Sequence, residues 1–137
     1  MSDDPQINST PRPTAPTVPK QIPVAGREQF ARRSGTREYR HVPQGEGLDD
    51  VRIRSLTETE RSSVVRLCQD QKDFDRYAAR LMAMSVVNND GDLLFNVEND
   101  DDITLLAEMP LPDAQPVTEA IQKLNGLDRS VEDDAKN

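Results

Sequence analysis

The sequence predicts an α+β fold: a small, mainly helical domain of about four helices with a central β-hairpin and a possible short N-terminal strand pair, preceded by a disordered tail. Three observations predict it. The stretch "MAMSVVNNDGDLLF", Met82 to Phe95, consists of two short apolar runs around an Asp-Gly pair, which is typical of a tight hairpin turn. Apolar residues on either side of that stretch recur at helical spacing. Seven of the ten prolines precede residue 55.

The N-terminal third differs in composition from the rest. The stretch "PQINSTPRPTAPTVPKQIPVAG" is rich in Pro, Thr and Ser, and such a segment buries too little apolar surface to offset its ordering entropy. We therefore expect residues 1–33 to be a disordered tail and residues 34–137 to form the domain. With 137 residues and no Trp, that domain can bury one modest core.

Two short runs, "TREYRHV" and "VRIRSL", open the predicted domain. Both alternate β-branched or aromatic residues with charged ones, which favours strands. Val51 and Ile53 fall on one face of the second run, whereas Arg52 and Arg54 fall on the other. The intervening "PQGEGLDD" has the composition of a turn, so a strand pair is expected.

The first predicted helix starts in "LTETER", where Thr57 and Glu60 have the spacing of a capping box. An apolar stripe follows at steps of three and four residues: Val64, Leu67, Cys68 and Gln71. Asp73 opens the second predicted helix. Its expected inner face is Phe74, Tyr77, Ala78, Leu81 and Met82, and its charged residues, including Arg76 and Arg80, are expected mainly outside.

The hairpin and two further helices complete the predicted domain. "NDDDITLLAEM" has acidic capping candidates before an apolar run, and Pro110 is expected to end that helix. The last helix is predicted from about Asp113 to Asn125, with Gly126 as its C-terminal stop. One cluster is expected to join the hairpin to these helices: Leu81, Val86, Phe95, Ile121 and Leu124.

The sequence contains no convincing constellation for catalysis or metal binding. Cys68 would need a basic partner to act as a nucleophile, and nothing places His41, the single histidine, beside it. The acidic cluster around Gly91 does not match an EF-hand calcium loop. If Gly91 takes the place of the loop's invariant glycine, Val86 and Val97 fall at the first and last ligand positions, where a carboxylate is needed. Caps and turns account for these carboxylates. We expect no enzymatic activity, cofactor or metal.

The formal charge of −8 is unevenly distributed along the chain. Residues 20–42 hold six basic and two acidic residues with Phe30 and Tyr39 among them, so nucleic-acid binding is an alternative. No recognition helix is predicted there and the remainder is strongly acidic, so a solvated linker explains the segment better. The apolar runs are too short for a membrane span or a signal peptide, so a cytosolic protein is expected.

Several motifs occur in an order that resembles the tail assembly chaperones of long-tailed, siphovirus-type bacteriophages. They are an Arg-Ser-Leu-Thr followed by Glu-Arg at the first helix, a helix entering the hairpin in "YAARLMAMSVVNNDGDLLF", and a closing Leu-Asn-Gly-Leu before an acidic terminus ending in Lys-Asn. The resemblance covers about residues 36–137. The Pro-rich start of the chain departs from it.

The resemblance implies a non-enzymatic assembly factor in the host cell cytoplasm. Such a protein binds the tape measure protein, keeps it soluble while the tail tube protein polymerises, and is not expected in the mature virion. A ribosomal frameshift often yields a longer fusion product in these families, and the codons of Ala135-Lys136-Asn137 can form the required run of A bases. That longer product and a homo-oligomer are further expected partners.

The hairpin is the expected partner-binding surface, through the apolar side chains Val86, Val87, Leu93 and Phe95. Packing against the chain's own helices is the competing explanation for those side chains. Two other functions stay open at this point: a structural virion component, such as a connector or minor tail protein, and, with less support, a small nucleic-acid-binding regulator that uses residues 20–42.

Overall fold

The structure is a computed structural model that describes residues 21–127. The first 20 residues of the expected tail and the closing Ala135-Lys136-Asn137 lie outside the described residues. The chain divides between Ser34 and Gly35 into two compact units. In the first unit, helix α1 spans Arg27–Arg33, in a segment where the sequence analysis expected disorder. This two-turn helix buries none of its residues.

The second unit has the α+β fold that the sequence predicted. Its sheet has three antiparallel strands in the order β1-β2-β3: β1 is Tyr39–Val42, β2 is Val51–Arg54 and β3 is Val86–Val87. The predicted strand pair is confirmed, with Tyr39 opposite Arg54 and Val42 opposite Val51. The first arm of the predicted hairpin is β3, which pairs with β2 and so joins this sheet.

Helix α2, Glu58–Gln71, begins where the capping box predicted. The Thr57 hydroxyl accepts a hydrogen bond from the Glu60 N–H (3.2 Å), and the Glu60 carboxylate accepts one from the Thr57 N–H (2.9 Å). A 3₁₀ turn at Phe74–Arg76 leads into helix α3, Tyr77–Ser85. Helix α3 packs against α2 and against the two helices that follow the hairpin.

Helix α4 spans Asp100–Ala107, and its N-cap is Asn99, whose side chain accepts a hydrogen bond from the Asp102 N–H (2.9 Å). Helix α5 spans Leu111–Leu124, two residues longer at its start than predicted. Pro112 lies in its first turn. A backbone N–H there would have no partner within the helix, so the missing N–H of proline is tolerated. The four helices of the second unit match the predicted number.

Two apolar clusters form the core. The larger one joins the sheet, α3, α4 and α5, and its fully buried members include Ile53, Ile103 and Ile121. The smaller one contains Val64, Leu81 and Met84. The prediction of one shared cluster is therefore wrong for Leu81, although Val86 and Ile121 do lie in the larger cluster, with Phe95 and Leu124 packed on it.

Two arginines that the sequence placed outside are buried. Arg80 is only 4% exposed, and its guanidinium pairs with Asp73 at 2.7 Å. Arg54 is 8% exposed and bonds to Glu60 (3.1 Å) and to the Met84 carbonyl (3.0 Å). Both predictions of an outward side chain failed because a paired and hydrogen-bonded guanidinium can be buried at a tolerable cost.

Among residues 21–127, no helix has both the length and the apolar character needed to cross a membrane.

Candidate partner-binding site

The hairpin residues proposed as a partner surface are divided between the core and the surface. Val86 is 7% exposed and Val87 2%, so both side chains pack within the chain's own fold. Phe95 is partly buried and packs on the larger cluster. Leu93 is 40% exposed. Of the four, the side chain most accessible to a partner is therefore that of Leu93, and its neighbour Leu94 is more exposed still, at 55%.

The hairpin itself is short. Val87 and Leu93 form a single antiparallel bridge, and the Asn88 N–H donates to the Asp92 carbonyl (2.9 Å) across the turn. Gly91 has φ +88, a conformation that favours glycine. The predicted Asp-Gly turn is thus present, although the second arm leaves the ladder after the Leu94 N–H, which donates to the Val86 carbonyl (3.2 Å).

Two side chains from the neighbouring strands hold this turn. Arg52 donates from Nη1 to the carbonyls of Asn88 (3.0 Å) and Asn89 (3.1 Å). The Arg52 guanidinium carbon, Cζ, lies 4.0 Å from the centroid of the Tyr39 ring, in a cation–π contact. The Tyr39 hydroxyl also approaches Gly91 so closely that an added Cβ would lie 3.1 Å from it. These contacts fix the position of the hairpin on the sheet.

An apolar cavity of about 180 Å³ opens beside the hairpin. We call it the hairpin cavity. Three of its lining residues belong to β2, α3 and β3: Val51, Met82 and Val86. Five come from the hairpin's second arm, from α4 and α5, and from the segment between those helices: Leu94, Phe95, Leu106, Met109 and Val117.

The size and lining of the hairpin cavity suit one apolar side chain. All eight lining side chains are apolar, so a polar group that entered would find no hydrogen-bond partner among them. A closed apolar cavity of roughly 150 Å³ is large enough to bind benzene. The hairpin cavity is comparable in volume and is open to solvent on one side. Its volume is therefore large enough for one aromatic or branched aliphatic side chain.

The part of the chain that supplies most of the cavity lining is acidic. Residues 81–122, which we call the acidic stretch, contain nine Asp or Glu and no Lys, Arg or His. Seven of the eight cavity-lining residues belong to the acidic stretch. Eight of its carboxylate residues are exposed: Asp90, Asp92, Glu98, Asp100, Asp101, Glu108, Asp113 and Glu119.

Few cations from elsewhere in the described chain approach these carboxylates. Arg76 forms an ion pair with Asp100 at 3.3 Å, with the Asp100 side chain 86% exposed. Arg52, the basic residue beside the turn, donates instead to backbone carbonyls and stacks with Tyr39. Of the ion pairs described among residues 21–127, only Arg76–Asp100 involves a carboxylate of the acidic stretch.

A second charged group is internal and serves the fold. Glu60 accepts two hydrogen bonds from Arg37 (2.7 and 2.6 Å) and one from Arg54 (3.1 Å). Burial by itself would raise the pKa of Glu60, but the hydrogen bonds from Arg37 and Thr57 and the two positive charges lower that pKa to about 2. This network joins the sheet to the start of α2.

Cys68 and His41, the two side chains considered for nucleophilic chemistry, lie on different elements, α2 and β1. Cys68 is fully buried, and burial raises the pKa of its thiol, which disfavours the reactive thiolate. His41 lies on β1 with its Nδ1 3.5 Å from Asp50, and both side chains are about half exposed. Within residues 21–127, no group of three or more His, Cys, Asp or Glu residues could hold a metal ion.

Comparison of the chain with protein-family models, with curated proteins and with solved structures found no match.

Sequence reasoning missed most of the hairpin cavity. Leu94, Leu106, Met109 and Val117 come from four separate segments. Periodicity within one segment does not show which apolar side chains leave space between the segments unfilled. One signal was available in the sequence: the long stretch without a basic residue, which coincides with the chain that lines the hairpin cavity.

Proposed function

We propose that this protein is a tail assembly chaperone of a long-tailed bacteriophage. It binds the tape measure protein in the host cytoplasm, keeps it soluble while the tail tube protein polymerises, and is absent from the mature virion. The function is one of binding alone and uses no catalytic group, metal or cofactor. Its own longer product from a ribosomal frameshift joins it in the complex.

One observation carries the proposal: an apolar cavity opens to solvent within a strongly acidic domain. A chaperone for an aggregation-prone client needs apolar surface to hold the client and charge to keep the complex dispersed. The hairpin cavity supplies the first and the acidic stretch supplies the second. The order of sequence motifs, from Arg54 to the Leu-Asn-Gly-Leu at residues 124–127, supports the same class of protein.

Coexpression tests the proposal. The full chain is produced together with the tape measure protein encoded in the same phage genome, and the soluble fraction of the client is measured after lysis. We expect the client to become soluble and to copurify with the chaperone. An aggregation-prone coiled-coil protein of non-phage origin is the control client and should stay insoluble. A tape measure protein that precipitates equally with and without the chain would refute the proposal.

Purified phage particles separate this function from that of a structural virion component. A chaperone should be missing from the particles while it is abundant in the infected-cell lysate. Detection of the chain in particles at a stoichiometry comparable with other tail proteins would favour a connector or minor tail protein instead.

A further inference from the structure

We propose that the hairpin cavity is an anchor site: it receives one bulky apolar side chain, aromatic or branched aliphatic, from a client segment that carries Lys or Arg on both sides of that anchor. This inference deepens the proposed function, on which it rests, by naming the chemistry of the client segment. Two independent observations lead to it, the shape of the cavity and the sign of the charge around it.

The cavity limits the client to one anchor at this site. A volume of about 180 Å³ holds a single large side chain, and the uniformly apolar lining excludes a charged or amide group. Leu94 is the most accessible part of the lining, at 55% exposed, so the anchor is expected to pass over it on entry. Buried apolar anchors in preformed pockets commonly contribute most of the affinity of an interface.

The charge around the cavity determines what flanks the anchor. The acidic stretch places exposed carboxylates on every segment that lines the cavity after β3, for example Asp92 beside the hairpin arm, Glu108 beside Met109 and Asp113 in the first turn of α5. Lys or Arg on the client would be attracted to these positions, whereas Asp or Glu would be repelled.

The chain provides a closely matched pair of variants for the test. Leu94→Glu places a carboxylate on the cavity lining, and Leu105→Glu makes the same change on the exposed face of α4, away from the lining. The two leucines are 55% and 57% exposed, so neither substitution removes a core side chain. Circular dichroism of both full-length variants should match the wild type.

The probe is a synthetic helical peptide with one Phe flanked by Lys residues, and its binding to the full chain is measured by fluorescence anisotropy. Leu94→Glu should weaken binding by about tenfold or more, and Leu105→Glu by less than about twofold. Replacement of Phe by Ala, or of the flanking Lys by Glu, should likewise weaken binding by about tenfold. Raising the salt from about 0.05 to about 0.5 M should weaken binding of the Lys-flanked peptide through screening.

Methionine methyl signals in an NMR titration locate the bound peptide. Met82 and Met109 line the hairpin cavity, whereas Met84 packs in the other apolar cluster. We expect the first two methyl signals to shift on peptide addition and the third to stay in place. Absence of binding, equal binding of the Lys- and Glu-flanked peptides, or a Met84 shift without Met82 and Met109 shifts would overturn the anchor site.

Coexpression with the tape measure protein separates failure of this inference from failure of the proposed function. If the wild type and Leu94→Glu keep the client equally soluble, the chaperone function stands and the anchor site is refuted. If the Lys-flanked peptide binds at the cavity but the wild type leaves the client insoluble, the anchor chemistry stands and the chaperone function is refuted.

Discussion

Removal of the Glu60 charge should destabilise the fold markedly at neutral pH. Glu60 is the shared acceptor of Arg37 and Arg54, and its pKa falls from the ordinary 4.5 to about 2. At about 1.4 kcal/mol per pKa unit, this shift of about 2.5 units corresponds to at most about 3.5 kcal/mol of stability. The side chain is one-fifth exposed, so solvent screens part of that amount. We expect Glu60→Gln to lower the free energy of unfolding by about 2 to 3 kcal/mol at pH 7, partly because Arg54 loses its buried partner.

The pH dependence of that loss follows from the direction of the shift. A carboxylate with a depressed pKa stabilises the fold fully above its unfolded pKa, near 4.5, and this stabilisation disappears as the pH falls from 4.5 towards 2. Urea denaturation gives the free energy of unfolding of the wild type and of Glu60→Gln. The difference between these two free energies should be about 1 kcal/mol smaller at pH 3.5 than at pH 7.

Glu58→Gln is the matched control, because Glu58 lies in the same first turn of α2 but is 76% exposed, and its partners, Arg61 and Ser62, are both on its own helix. Its substitution should cost much less than that of Glu60. Equal losses for the two variants, or a loss for Glu60→Gln that does not change with pH, would refute the role assigned to the network.

Two further predictions concern stability. Gly91→Ala should lower the free energy of unfolding by about 1 to 3 kcal/mol in thermal denaturation, because the φ of Gly91 is +88 and the new Cβ would meet the Tyr39 hydroxyl. Gly126→Ala, at φ +69 in open space, should cost less, and equal costs would contradict the contact with Tyr39. Leu81→Ala should cost about 2 to 5 kcal/mol in urea denaturation, because Leu81 is 1% exposed beside Val64, and a loss under about 0.5 kcal/mol would contradict that packing.

Local features of the fold were predictable because their causes lie within a few residues. The capping box that starts α2 depends on Thr57 and Glu60 alone, and the turn at Gly91 depends on a glycine that accepts positive φ. Alternation in "VRIRSL" likewise indicated β2, although it did not indicate which strand would lie on its second edge. Within the second unit, propensity and pattern thus located the strands and helices without specifying their contacts, whereas α1 lies where disorder was expected.

The burial of charged residues required tertiary information. Every residue of α3 from Ala79 to Ser85 is buried, because this helix packs against α2, α4 and α5 at once. Helical periodicity assumes one inner and one outer face. It therefore placed Arg80 outside and predicted Leu81 in the cluster of Ile121, whereas Leu81 lies in the smaller cluster with Val64. Asp73 makes the burial of Arg80 possible, but a pair seven residues apart is not distinctive in a sequence rich in both signs.

The candidate site shows why strand alternation misjudged the hairpin's second arm. Alternation puts Leu93 and Phe95 on one face and Leu94 on the other. That rule holds only while the backbone stays in the ladder. In the described structure the ladder ends with the bridge from Val87 to Leu93 and the hydrogen bond from the Leu94 N–H to the Val86 carbonyl (3.2 Å). At this end of the ladder, the consecutive residues Leu94 and Phe95 both line the hairpin cavity. The end of strand pairing therefore lets two consecutive side chains contribute to one apolar surface beside the cavity, and Leu94 leaves part of that surface exposed to solvent.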